Sequence, residues 1–124
     1  MAEASEKTYS ADEIAARLTG DLRNWRFEAG TLRRSYRTAG WKATLMVVNT
    51  IGHLAEAAWH HPDLAISYAS VEVRLSTHSA KGITDKDFAL ARKIEAVVQW
   101  QPATEGNGLD GTPADPTAAY IRYD

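Results

Sequence analysis

An α+β fold, in the order helix, strand, strand, helix, strand, strand, helix, is predicted by three observations. Three segments repeat apolar residues every three or four positions: Ile14, Leu18 and Leu22; the run from Trp41 to Trp59; and Phe88, Ala91, Ile94 and Val98. Leu32 to Arg37 and Val71 to Thr77 alternate instead with a period of two, as half-buried strands do. Turn and cap residues separate these runs at Ser10, Ala29-Gly30, Pro62, Ala69-Ser70 and Thr84. With 124 residues, 44% of them hydrophobic, the chain suits one domain with a real core.

In the first helix, Ser10 and Glu13 form a capping box, each side chain facing the other's backbone amide. The helix is expected to run toward Leu22, with Gly20 ending or loosening it. Residues 25–28 and 32–37 read as strands joined by a hairpin turn at Ala29-Gly30. Leu32, Arg34 and Tyr36 share one face of the second strand, and Arg33, Ser35 and Arg37 the other. The four arginines of this region read as a solvated face or, more sharply, as a subunit contact. A strong helix follows over residues 43–60. Trp41, Leu45, Val48, Gly52, Ala55 and Trp59 are its expected core stripe. Asn49, His53, Glu56 and His60 stack along another stripe, suited to a cleft wall or to solvent. Pro62 pushes the residue before it toward extended geometry, so the helix stops there. His60 is expected on the last turn and His61 on the chain leaving it.

Residues 64–68 and 71–77 are the next strands, with His78 at the end of the second on its polar side. Thr84 caps the final helix, and Asp87 takes its third position. Beyond Gln101, glycine and proline accumulate. Residues 101–124 are therefore predicted as an irregular extension of a domain spanning 1–100, anchored by Tyr120, Ile121 and Tyr123.

Composition removes several function classes. Fourteen basic residues oppose 16 acidic ones, which gives no electrostatic pull toward nucleic acid. The chain has no cysteine, which excludes disulfides, thiolate nucleophiles, zinc–thiolate sites and iron–sulfur clusters. Residues 1–9 are polar and lack the apolar centre of a secretion signal. No apolar run approaches a membrane span. A cytoplasmic protein with no nucleic-acid or membrane partner is expected.

Three of the four histidines, His60, His61 and His78, and two carboxylates, Glu56 and Asp87, fall at helix ends and a strand end. Such ends are where functional groups are presented. Imidazole is the side chain whose ordinary titration lies nearest neutrality, so it can give or take a proton. Asp87, at a helix N-terminus, sits where an anion is favoured and could orient a histidine. Each residue alone has a plainer role: Asp87 as a cap, Glu56 with His60 as a surface pair, His78 as a strand-end polar group. His53 reads as solvated or packing. No metal is expected, because adjacent histidines chelate one ion poorly and the spacing is not His-Glu-x-x-His.

Taken together, Glu56-x3-His60-His61-Pro62-x5-Tyr68-x9-His78-x8-Asp87 resembles the signature of the pterin-4a-carbinolamine dehydratase family. The flanks are similar too: Ser10-Ala-Asp-Glu-Ile, Trp25, Leu32-x-Arg34-x-Tyr36, and Leu75-Ser-Thr-His78 before Gly82-Ile-Thr84. The resemblance covers about residues 8–99. It implies a four-stranded antiparallel sheet with helices packed on one face, in agreement with the element order read from periodicity. It also implies a homodimer or homotetramer. The implied reaction is dehydration of 4a-hydroxytetrahydropterin to quinonoid dihydropterin and water, in tetrahydropterin recycling. His61 and His78 would then be acid and base in either order. His60 and Pro62 would bind the pterin, His60 also helping either transfer, and Glu56 and Asp87 would orient and tune the rings. No metal or organic cofactor is needed. The alternative is an inactive relative serving as a binding module, for a transcription factor or in carboxylase assembly; the intact His-His-Pro set favours the enzyme. The tail from Gln101 is expected to cover the cleft of its own or a neighbouring subunit.

Overall fold

The computed structural model describes residues 6–124; residues 1–5 of the expected domain, and with them half of the polar start, lie outside the described residues. The first helix, α1 (Ala11–Arg17), begins with the expected capping box: the Glu13 amide donates to Ser10 Oγ at 3.2 Å and the Ser10 amide to Glu13 Oε1 at 3.0 Å. It ends earlier than the apolar repeat suggested. Gly20 has φ +59°, a left-handed conformation that cannot continue a right-handed helix, and a short 3₁₀ turn follows. That turn still delivers Leu22 into the core beside Ile14.

Strands β1 (Arg26–Glu28) and β2 (Thr31–Arg37) form a hairpin through Ala29 and Gly30, both at positive φ. Two consecutive left-handed residues match the natural twist of paired strands. β3 (Asp63–Ser67) and β4 (Ser70–Leu75) form the second hairpin, and the sheet runs β1-β2-β4-β3, antiparallel throughout. Leu32 lies opposite Leu75, Arg34 opposite Val73, and Tyr36 opposite Val71. Those residues form the buried face, which α1, α2 (Trp41–Ala58) and α3 (Asp85–Val98) cover. The α+β order and the one-sided layering are those the sequence predicts. No helix among the described residues is long and apolar enough to cross a membrane.

The core stripe of α2 is not the expected one. Thr44, Val47, Ile51 and Ala55 face inward, while Trp41, Leu45, Gly52 and Trp59 are exposed. The buried stripe places a threonine, Thr44, at a core position. Thr44 Oγ1 donates to the Tyr68 carbonyl at 2.9 Å and lies 2.7 Å from Thr38 Oγ1, so its polar group is satisfied in place. Of the stripe Asn49, His53, Glu56 and His60, the first three are exposed, and His60 is half-buried. On α3 the expected stripe holds: Phe88, Ala91, Ile94 and Val98 are all buried.

The arginines divide between the two faces of the sheet. Arg26 and Arg74 hold Glu72 at 2.8 and 2.7 Å on the open face, with Arg33 at 3.7 Å. Arg34 belongs to no solvated face. It is 3% exposed and is clamped by Glu95 of α3 and by Asp124. The tail is largely irregular but pinned. Ile121 bridges to Thr38 and enters the core, the Arg122 amide donates to the Arg37 carbonyl at 2.9 Å, and the Ala39 amide to that of Tyr120 at 3.0 Å. Tyr120 and Tyr123 stay more than a third exposed, so of the three expected anchors only Ile121 is buried.

Candidate active site

The exit of α2 decides where the histidines go. Trp59 takes a left-handed conformation (φ 52°, ψ 45°), and the His60 amide folds back onto the Ala55 carbonyl at 3.1 Å. A left-handed residue at this position is a common way to stop a helix, although glycine is its usual occupant. For a tryptophan the conformation costs on the order of 1–3 kcal/mol and must be held by its surroundings. His60 is therefore not on the last helical turn, as expected, but beyond the cap.

That reversal changes the pairing of the two imidazoles. Glu56 Oε1 lies 2.8 Å from Nε2 of His61, not from His60 one turn on. The Trp59 ring meets the His61 ring edge-on, with centroids 5.0 Å apart. His60 turns inward, where its Nε2 lies 2.7 Å from Asp87 Oδ1 across the helix pair. Asp87 is fully buried at the start of α3. Its other oxygen accepts from the Thr84 amide at 2.9 Å, completing a capping box, and from Thr77 Oγ1 at 2.8 Å. One carboxylate thus caps a helix and holds a histidine at once. While Glu56 and Asp87 are carboxylates they can only accept, so the Nε2 of each partner ring carries the hydrogen.

Thr77 is the residue that sequence reasoning passed over. Its hydroxyl gives its hydrogen to Asp87, so the contact with Thr84 Oγ1 at 2.7 Å is donated by Thr84. Thr84 in turn accepts from the Lys86 amide at 3.3 Å. The signal was a polar residue on the buried side of an alternating strand, beside Val71, Val73 and Leu75. Thr77→Val should cost about 1–3 kcal/mol, because a buried carboxylate loses a donor it cannot replace. Urea unfolding would measure it, and Thr77→Ser should recover most of the loss.

His60, His61, Pro62 and His78 line one pocket of about 380 Å³, together with Trp59, Thr77 and Lys86. A helix exit and a distant strand end thus converge on one hollow of the size small molecules use. His78 is exposed at the start of a short 3₁₀ turn after β4, and its ring makes no side-chain hydrogen bond among the described residues. Asp87 and Glu56 do not line the hollow; each acts behind a ring. Tyr68 lies elsewhere, against Gly40 and Trp41. No residue of 101–124 lines this pocket, so the tail does not cover the cleft of its own chain.

Comparisons with known proteins converge. Residues 7–97 match the family model described as pterin 4 alpha carbinolamine dehydratase. A protein of Aquifex aeolicus, provisionally named pterin-4-alpha-carbinolamine dehydratase, is 43% identical over 89 residues, covering 72% of this chain and 90% of its own. One from Metallosphaera sedula with the same provisional name is 41% identical over 86 residues, covering 69% and 88%. Among solved structures, the transcriptional coactivator/pterin dehydratase from Brucella melitensis superposes with a TM-score of 0.67 at 27% identity, over 73% of this chain and 98% of that one. A pterin dehydratase-like protein identified as a RuBisCO assembly factor in the alpha-carboxysome shares the fold, with a TM-score of 0.52 at 16% identity, over 63% and 93%.

Proposed function

The chain belongs to the pterin-4-alpha-carbinolamine dehydratase family, and from that premise we propose that it dehydrates 4a-hydroxytetrahydropterin to quinonoid dihydropterin and water, in tetrahydropterin recycling. The observation that carries this reading is the hollow shared by His60, His61, Pro62 and His78. The C4a hydroxyl must receive a proton to leave as water. N5 must lose its proton as the N5=C4a bond forms. One proton enters and one departs, so the enzyme ends as it began. Two imidazoles at one ring suffice for both transfers, and His61 and His78 divide them. His60, tied to the buried Asp87, and Pro62 position the ring. Glu56 holds His61 in one orientation, 2.8 Å from its Nε2. The protein works in the cytoplasm as a homodimer or homotetramer; its edge strands β1 and β3 leave backbone groups for a second copy to cover.

The test is a dehydratase assay with the carbinolamine generated in situ and product followed by absorbance. Wild type should exceed the uncatalysed rate clearly, and His61→Ala should lose most of that excess. Equal, slow rates in both would turn the assignment toward a binding module.

A further inference from the structure

The histidine hollow does not end at its own walls. A second groove, of about 640 Å³, opens beside it between α2 and α3. Trp59, His60 and Lys86 line both, so the two are continuous. Beyond the shared residues the groove is walled by Leu54, Ala57, Leu90 and Val97, and no carboxylate lines it. Its remaining polar side chain is Lys93, which is exposed and has no ion pair among the described residues. Lys86, by contrast, is already paired with Glu6 at 2.7 Å.

We propose that this groove is a specificity subsite for a substituent on the pterin ring, an aromatic or apolar stem that ends in a carboxylate. The inference rests on the dehydratase reading and adds the class of pterin. Apolar walls reward burial of the stem, and an uncompensated cation favours an anion at its end. Length selects among stems. Lys86, at the join of the two hollows, and Lys93 lie seven residues apart on α3, about 10 Å along the axis at 1.5 Å per residue. A short hydroxyalkyl chain on the ring stops well before Lys93. An aminobenzoyl group carrying an amino-acid carboxylate reaches it.

The experiment compares kcat/KM for two 4a-hydroxytetrahydropterins, one with a short hydroxyalkyl substituent and one with an aminobenzoylglutamate substituent. Wild type should prefer the longer one, and Lys93→Glu should cut the long-to-short ratio by about fivefold, the scale of one exposed charge pair turned repulsive. Ala57→Phe, at an exposed position that narrows the groove, should cut it similarly. A ratio unmoved by both variants, with wild type active on both compounds, overturns the subsite and leaves the dehydratase standing. Turnover of neither compound by wild type overturns the dehydratase reading and the subsite with it. Should Ala57→Phe alter the mass found by sedimentation while the ratio stays fixed, a second copy of the chain occupies the groove and the proposal falls.

Discussion

Alanine in place of His78 should slow dehydration by about 10²–10⁴-fold, the range of one lost acid or base group. The position isolates chemistry from folding unusually well. His78 is exposed, opens the short 3₁₀ turn three residues past the end of β4, and no side chain among the described residues depends on its ring. The thermal midpoint should therefore stay close to that of wild type while kcat collapses. His60→Ala is a different experiment. It strips a partner from the buried Asp87, and its loss of rate would mix chemistry with stability. The His61/His78 double variant should fall by much less than the product of the single losses, because groups serving one turnover are not independent. A His78→Ala enzyme within a few-fold of wild type would remove His78 from the reaction.

How far the sequence carried this picture depends on which physical signal each element uses. Period-two strands and 3.6-period helices announce themselves, so the element order was legible. The phase of α2 was not. Two apolar stripes run along that helix, and the choice between them rests on Thr44 finding partners at Tyr68 and Thr38, which lie outside the helix itself. The candidate residues were legible as a group that the fold gathers: His60, His61 and His78 with Pro62 line one hollow. Their pairing was not legible. Adjacent numbering puts Glu56 one turn from His60, yet a left-handed Trp59 hands Glu56 to His61 and sends His60 to Asp87. A backbone reversal at a single non-glycine residue leaves no periodic trace. Arg34 was misread for a related reason. Its neighbours Leu32 and Tyr36 already marked the face as buried, but the carboxylates that make burial tolerable come from α3 and the far end of the chain.

That buried arginine sets the second large effect, on stability. Glu95→Ala should cost about 3–5 kcal/mol, the usual penalty for orphaning one member of a buried ion pair, out of a total of roughly 5–15 kcal/mol. Glu95 accepts four hydrogen bonds: from Arg34 Nε at 2.8 Å, Arg34 Nη2 at 3.1 Å, the Tyr36 hydroxyl at 2.8 Å and the Trp25 indole at 2.9 Å. Asp124, at 2.7 Å from Arg34 Nη1, would be left as the guanidinium's carboxylate partner. The same network predicts an acid signature. Burial pushes the Glu95 carboxyl up, but the bonds from Arg34 and Tyr36, the charge of Arg34 and the Trp25 indole outweigh it and hold the carboxyl below its ordinary value. The folded protein then resists protonating this group more than the unfolded chain does. Its contribution is complete above the ordinary carboxylate pKa of about 4.3 and drains away as pH falls through the lower folded value. Glu72, held at about 2 chiefly by the hydrogen bonds from Arg26 and Arg74, adds a similar slope to wild type and variant alike, so the difference between their curves isolates Glu95. Unfolding free energies measured at pH 7 and again near pH 3 should therefore converge as the solution is acidified. Curves that stay parallel would mean that Arg34 is balanced by Asp124 and the Ser35 carbonyl, 2.8 Å away, without help from Glu95.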